Sequence, residues 1–303
     1  MSQTEKKLFC FGYGYTCDYL SFALEQEGGW SIAGTTRDPE KRNLMRSHGV
    51  KSFLFDTAHP LDDPQYFLKD VTHLLISIPP GDEGGLVFNL HAAEILKIPT
   101  IEWIGYLSST SVYGDRGGLW VDETSEIRPT SKRGSRRALA EQQWLSLAAQ
   151  GAPVHIFRLA GIYGPGRSAL DTVRAGIARR IDKTGHVFSR VHVEDIVQVL
   201  IASMHHPSPG SIYNVCDDHP GPSQELVAYA CILLGMEPPP LIPFDQADMA
   251  PMARSFYEDN KRIHNDKIKE SLHVHLKYPD YRSGLEACLA VEQQILSALK
   301  EAR

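Results

Sequence analysis

The chain has no apolar run near the ~18 residues that a membrane-crossing helix needs. Its start, MSQTEKK, has no apolar leader core, so the expected place is the cytoplasm, with no membrane partner. Cysteine is sparse: Cys10, Cys17, Cys216, Cys231 and Cys288, an odd number without a Cys-x-x-Cys pair. That pattern argues against both a disulfide framework and a zinc site. His205–His206 and His273–Val274–His275 also lack partners at ligand spacing, so no metal is expected. An excess of positive charge is missing too. With 31 Lys and Arg against 37 Asp and Glu, the net charge is −6, which argues against a general nucleic-acid binder. A small-molecule substrate is the expected partner.

What is present begins at Leu8. Leu8 to Phe11 reads as a short buried strand, Gly12 and Gly14 follow, and Cys17, Leu20 and Leu24 then repeat on one helical face. Strand, glycine turn and helix make a dinucleotide cradle. Gly12 permits the turn, Gly14 lets the backbone approach a pyrophosphate, and the helix points unpaired N–H groups at the phosphates. The third glycine of the fingerprint is replaced by Cys17, which is small. Gly12, Tyr13, Gly14, Tyr15 and Thr16 are the candidate pyrophosphate loop.

Trp30 to Thr36 reads as the second strand, and its end bears on the cofactor. An NAD site places a carboxylate there for the ribose hydroxyls. Thr35, Thr36 and Arg37 stand there instead. Hydroxyls and a guanidinium suit a 2′-phosphate, so NADP is expected over NAD, with Thr36 and Arg37 as contacts. Asp38 and Pro39 read as the cap and first residue of the next helix. Further strands are expected at Val50 to Asp56, Thr72 to Pro80 and Thr100 to Ser109. Asp56 is a candidate partner of the adenine amino group, and Ile78 and Pro79 end the fourth strand beside the cofactor. The alternation of strand and helix predicts an α/β fold with a doubly wound parallel sheet.

The run SSTSVYGD, Ser108 to Asp115, resembles the short-chain dehydrogenase/reductase superfamily, in its extended branch of epimerases and dehydratases. RLAGIYGPGR (158–167), SRVHVEDIV (189–197) and IYNVCDD (212–218) extend the resemblance to about residues 7–235. It implies a Rossmann-type domain over 1–167 and 189–216, and a small, mainly α substrate domain over 168–188 and 217–303. It also implies Ser109 as the residue that holds a substrate oxygen, and a homodimer through a four-helix bundle.

The family's catalytic Tyr-x-x-x-Lys is broken. Aligning Glu141 with the family glutamate puts Arg137 at the lysine and Arg133 at the tyrosine. Arginine does not give up its proton at accessible pH, so Arg133 cannot do the tyrosine's acid–base work. Arg137 can still supply charge to a ribose or phosphate. Lys132, Arg133, Arg136 and Arg137 would form an anion site if they converge. Tyr113 and Tyr163 are substitute proton donors by position, Asp82 and Glu83 are loop carboxylates nearby, and His192 reads as structural. The resemblance is to atypical members of the superfamily. The leading expectation is an NADP-binding oxidoreductase or epimerase/dehydratase-like enzyme, and the alternative is a non-catalytic NADP-binding sensor.

Helices are expected at Arg136 to Gly151, at Ser168 to Ile181, through EDIVQVLIASM and SQELVAYACILLGM, within RIHNDKIKESL, and at the C-terminal GLEACLAVEQQILSALKEA.

Overall fold

The computed structural model describes residues 5–301. Met1 to Thr4, which open the leader reading, and Ala302 and Arg303 lie outside the described residues. Seven parallel strands form the central sheet: β1 (Lys6–Phe11), β2 (Trp30–Thr36), β3 (Lys51–Leu54), β4 (His73–Ile76), β5 (Trp103–Ser109), β6 (Val154–Leu159) and β7 (Ile212–Val215). Their spatial order is β7-β6-β5-β4-β1-β2-β3. The order reverses between β1 and β4, and such a crevice, at the carboxyl ends of the strands, is where open α/β sheets take ligands.

β1 shows why the strands read as continuous apolar runs. Leu8 and Cys10 face a core shared with α1 (Tyr15–Glu27). Phe9 and Phe11 face the opposite core. Both faces are therefore dry, as in parallel sheets generally. α2 (Pro39–Ser47) begins as expected, with the Asp38 carboxylate accepting from the N–H groups of Glu40 and Lys41 at 2.8 and 3.3 Å. α3 (Leu86–Ile95) and α4 (Lys132–Ala148) cover the Phe9/Phe11 face through Val87, Ile95 and Trp144. α5 (Val193–His205) joins α1 on the other face through Ile196 and Leu200.

Three expectations change. α4 starts at Lys132 rather than Arg136, because Ser131 caps it, its hydroxyl accepting from the Gly134 N–H at 3.1 Å. The predicted helix over 168–181 covers only Ala169–Arg174. Gly176, at φ +66°, ends it, and Arg180–Asp182 pairs as a strand with Leu241–Pro243. The third concerns the substrate domain. Its core joins Leu170 and Val173 to α6 (Ser223–Leu234) and α7 (Tyr281–Glu301). Yet Ile268, Leu272 and Val274, expected there, pack with α1 and α5 against the sheet.

One buried polar network ties these parts together. Glu141 of α4 and Arg158 of β6, each 3% exposed, pair Nη2 to Oε2 at 2.8 Å. The Ser108 hydroxyl donates to the same carboxylate at 2.5 Å. Arg158 Nη1 donates to Tyr113 Oη at 2.8 Å, and that hydroxyl donates to Asn214 Oδ1 at 2.7 Å. Asn214 Nδ2 reaches the His264 carbonyl at 3.1 Å. Removing one partner of a buried pair leaves a desolvated charge, which costs about 3–5 kcal/mol. Arg158→Met is therefore expected to lower the urea unfolding free energy by about that amount, with part of the loss recovered by adding Glu141→Leu. A loss for Arg158→Met within the scatter of surface variants would refute the assignment.

Candidate functional site

The first part of the site is the loop after β1. Gly12 has φ +86°, and a Cβ there would lie 2.8 Å from Ile78 Cγ1 and 3.1 Å from Ile78 N. Its N–H donates to Thr35 Oγ1 at 3.0 Å. Gly14 is the N-cap of α1 and offers no side-chain cap. A Cβ on Gly14 would meet only the Gly12 carbonyl, at 3.8 Å. The first turn of α1 thus has N–H groups that no side chain caps, an arrangement that suits a pyrophosphate. Cys17 fits the third-glycine position by turning inward, fully buried, with Sγ 3.6 Å from the Gly12 carbonyl.

The neighbouring candidates divide. The Tyr13 ring is buried in the α1-side core, so only its backbone belongs to the loop. Tyr15 is half-buried; its hydroxyl donates to the Pro165 carbonyl at 3.0 Å and Arg167 lies over its ring. It therefore links the loop to the turn after Tyr163. Thr16 is buried in the first turn of α1. At the end of β2, Thr36 Oγ1 accepts from the Asp38 N–H at 3.2 Å, while Arg37 is exposed. Asp56 closes its own turn, accepting from the Ala58 and His59 N–H groups and from the His59 ring, all within 2.9 Å. The His59 contact holds its carboxyl below the usual range. Ile78 packs over Gly12, and Pro79 is exposed.

The chemistry-bearing candidates divide as well. Ser109 is half-buried at the end of β5, its hydroxyl accepting from the Ser111 N–H at 3.2 Å. Tyr113 is fully buried within the Arg158 network, and burial pushes its hydroxyl up to about 12. It holds the fold and cannot exchange protons with a ligand. Tyr163 lines the cavity beside Ser109, but its hydroxyl is spent on the fold, 3.4 Å from the Asp280 carbonyl and against Gly284. The four cations of α4 do not converge. Arg136 and Lys132 pair with Asp82 at 2.6 and 3.1 Å, which holds that carboxyl low and removes it as a candidate acid or base. Arg137 donates to the Leu107 carbonyl. Arg133 lies over the Phe256 ring.

Beside Ser109 a cavity of about 510 Å³ opens between the sheet and the substrate-domain elements. Its charged lining is Arg133, Arg167, Arg190 and Lys261 against the single carboxylate of Asp259, so the cavity favours an anion. Asp259 already engages Lys261 at 3.3 Å. Arg190 is 6% exposed; its Nη1 donates to the Phe188 and Gly221 carbonyls at 3.1 and 3.0 Å. Ser111 Oγ and Ser189 Oγ also belong to lining residues and are buried without a partner among the described residues. The sequence reading missed Arg190, Ser189, Asp259 and Lys261. The first two lie inside SRVHVEDIV, where His192 drew attention; that histidine is buried and packs on Tyr278.

Near Arg190 lies Asp217, whose Oδ2 is buried without a partner and whose carboxyl burial pushes up to about 8. Between about pH 4 and 8 the unfolded chain has lost this proton and the folded chain keeps it, so its contribution to stability falls as pH rises. Asp217→Asn should remove that slope. Its urea midpoint, relative to wild type, is expected to rise between about pH 5 and pH 8. A difference that stays constant across the window would show the carboxylate ionised throughout.

Comparison with known proteins agrees with this architecture. Residues 86–216 match the family described as the NAD dependent epimerase/dehydratase family. Protein YeeZ of Escherichia coli (strain K12) is 32% identical over 243 residues, covering 77% of this chain and 86% of that protein. A functionally unknown conserved protein from Silicibacter pomeroyi DSS, of solved structure, is 50% identical with a TM-score of 0.87, over 94% of this chain and 98% of that one. UDP-glucuronic acid 4-epimerase from Bacillus cereus, solved in complex with UDP-glucuronic acid and NAD, has a TM-score of 0.75 at 16% identity, over 95% of this chain and 99% of that one, and so shares the fold. On these matches, the chain belongs to the NAD dependent epimerase/dehydratase family.

Proposed function

We propose that the protein binds NADP and acts as an oxidoreductase or epimerase/dehydratase-like enzyme on a hydroxylated, anionic substrate, a sugar nucleotide or a phosphorylated sugar. The observation that carries this reading is the charge of the cavity beside Ser109. Four cations face one carboxylate that Lys261 already engages. Arg190 is buried, and burial raises the carboxyl of nearby Asp217 to about 8, which weakens it as a counter-charge for that cation. A buried cation without an ionised partner is costly, and an anionic ligand offsets that cost.

The Gly12–Gly14 turn and the start of α1 would hold the cofactor's pyrophosphate, and Thr36 and Arg37 its 2′-phosphate. The Asp38 carboxylate is engaged in capping α2 rather than in holding the ribose hydroxyls. When bound, the nicotinamide would supply or accept a hydride. Ser109 would hold the substrate oxygen. Arg133, beside it in the cavity lining, would stabilise negative charge on that oxygen without releasing a proton. Arg137 retains N–H groups beyond its bond to the Leu107 carbonyl and would offer them to the ribose. The alternative, a non-catalytic NADP-binding sensor, draws on the placement of Tyr113 and Tyr163, whose hydroxyls are both committed to the fold.

Titration with NADPH and NADH, on wild type and Arg37→Ala, tests the cofactor. A hydrogen bond to a charged group contributes about 1.5–3 kcal/mol, so NADPH binding is expected to weaken at least about tenfold and NADH binding to stay unchanged. Equal affinities unmoved by the substitution would overturn the NADP preference, and no binding of either cofactor would sink both readings. Hydride exchange with phosphorylated hydroxy-sugars then separates enzyme from sensor.

A further inference from the structure

Arg133, which alignment on Glu141 puts at the family's tyrosine, has its guanidinium 4.1 Å from the centre of the Phe256 ring. Both residues line the cavity, and so does Ser255. Phe256 ends a strap that includes the short helix Pro251–Ser255. The strap is pinned at its feet. On one side Arg179 donates to the Asp248 carbonyl. On the other, Tyr257 and Ser223 share a hydroxyl hydrogen bond at 2.8 Å, and Lys183 donates to the Tyr257 carbonyl. Asp259, just beyond, holds Thr130 and Lys261. Between these feet residues 250–254 are exposed, Met252 to 72%. Arg254 lies over Phe244 on the near side, and Arg133 on Phe256 is a contact that reaches α4.

We propose that Arg133 is the admission residue of the cavity: it holds the 250–257 strap through Phe256 and gives up the ring for an anionic group of the incoming substrate. This rests on reading the cavity as the substrate site. The magnitudes allow the exchange. An exposed guanidinium–ring contact shifts an equilibrium by only about two- to fivefold, whereas a charge-assisted hydrogen bond to an oxyanion shifts it by about tenfold or more. A neutral ligand has no such advantage. Substrate choice would then begin at the mouth, on charge, before any fit inside. The arginine that ends tyrosine chemistry at this position takes over entry.

Hydrogen exchange of the 250–257 amides in the full chain tests this, with inorganic pyrophosphate as the anion. Arg133→Gln is expected to speed exchange in the strap about two- to fivefold and to leave β1 and β5 unchanged. Pyrophosphate should speed it similarly in wild type and have no effect on Arg133→Gln. Equal exchange in wild type and variant would overturn the latch. A pyrophosphate effect that is absent in wild type, reversed in sign or equal in both proteins would overturn the release by anions. NADPH titration of the same samples keeps the outcomes apart: binding with an unresponsive strap removes this inference and leaves the cofactor site standing.

Discussion

The Glu141–Arg158 pair is the constraint on which the rest of the molecule depends. Both charges are nearly out of water, and neither is tolerable there alone. Satisfying them enlists Ser108 at the end of β5, Tyr113 in the turn after it and Asn214 in β7. The consequence is positional. Ser109 follows Ser108 directly, so the residue assigned to the substrate oxygen is set by a salt bridge one residue away. Gly134 adds a second clamp, since a Cβ there would lie 2.6 Å from the Ser111 carbonyl. The start of α4, which carries Arg133 and Arg137, is thereby pressed onto the same turn.

The cavity is assembled from distant pieces of chain. Its floor comes from the ends of β5 and β6, one wall from the 187–190 segment, and the outer side from 255–263. Arg190 and Lys261 arrive on two of these pieces, while Arg133 comes from α4 and Arg167 from the turn after Tyr163. The chain as a whole is acidic at −6, yet this interior is basic. Local charge of that kind, between low-dielectric walls, acts on a ligand more strongly than net charge does.

Much of the sheet was legible because buried parallel strands write continuous apolar runs. Leu8 to Phe11 and Trp30 to Thr36 were read nearly as they stand. Glycine and cap chemistry marked the turn after β1 and the start of α2 for the same local reason. What escaped was non-local. Arg158 and Glu141 look like ordinary charged positions in a strand and a helix, and only the fold brings them together. Tyr113 looked like a spare hydroxyl because its partners lie 45 and 101 residues away. The 168–181 segment has the composition of a helix, but Gly176 and pairing with Leu241–Pro243 decide otherwise. Arg190 was passed over because its neighbour His192 has the more familiar chemistry.

The helix that carries Ile268 and Leu272 packs on α5 and β7, and with Val274 it closes the core that α1 shares. Leu8 and Leu20 of that core lie far from this segment in the sequence, and until it docks part of the core stays bare. Contacts of such long sequence separation close slowly, because the loop entropy is lost before they form. The core on the Phe9/Phe11 side, whose buried members run no further than Ile156, has the shorter loops to close.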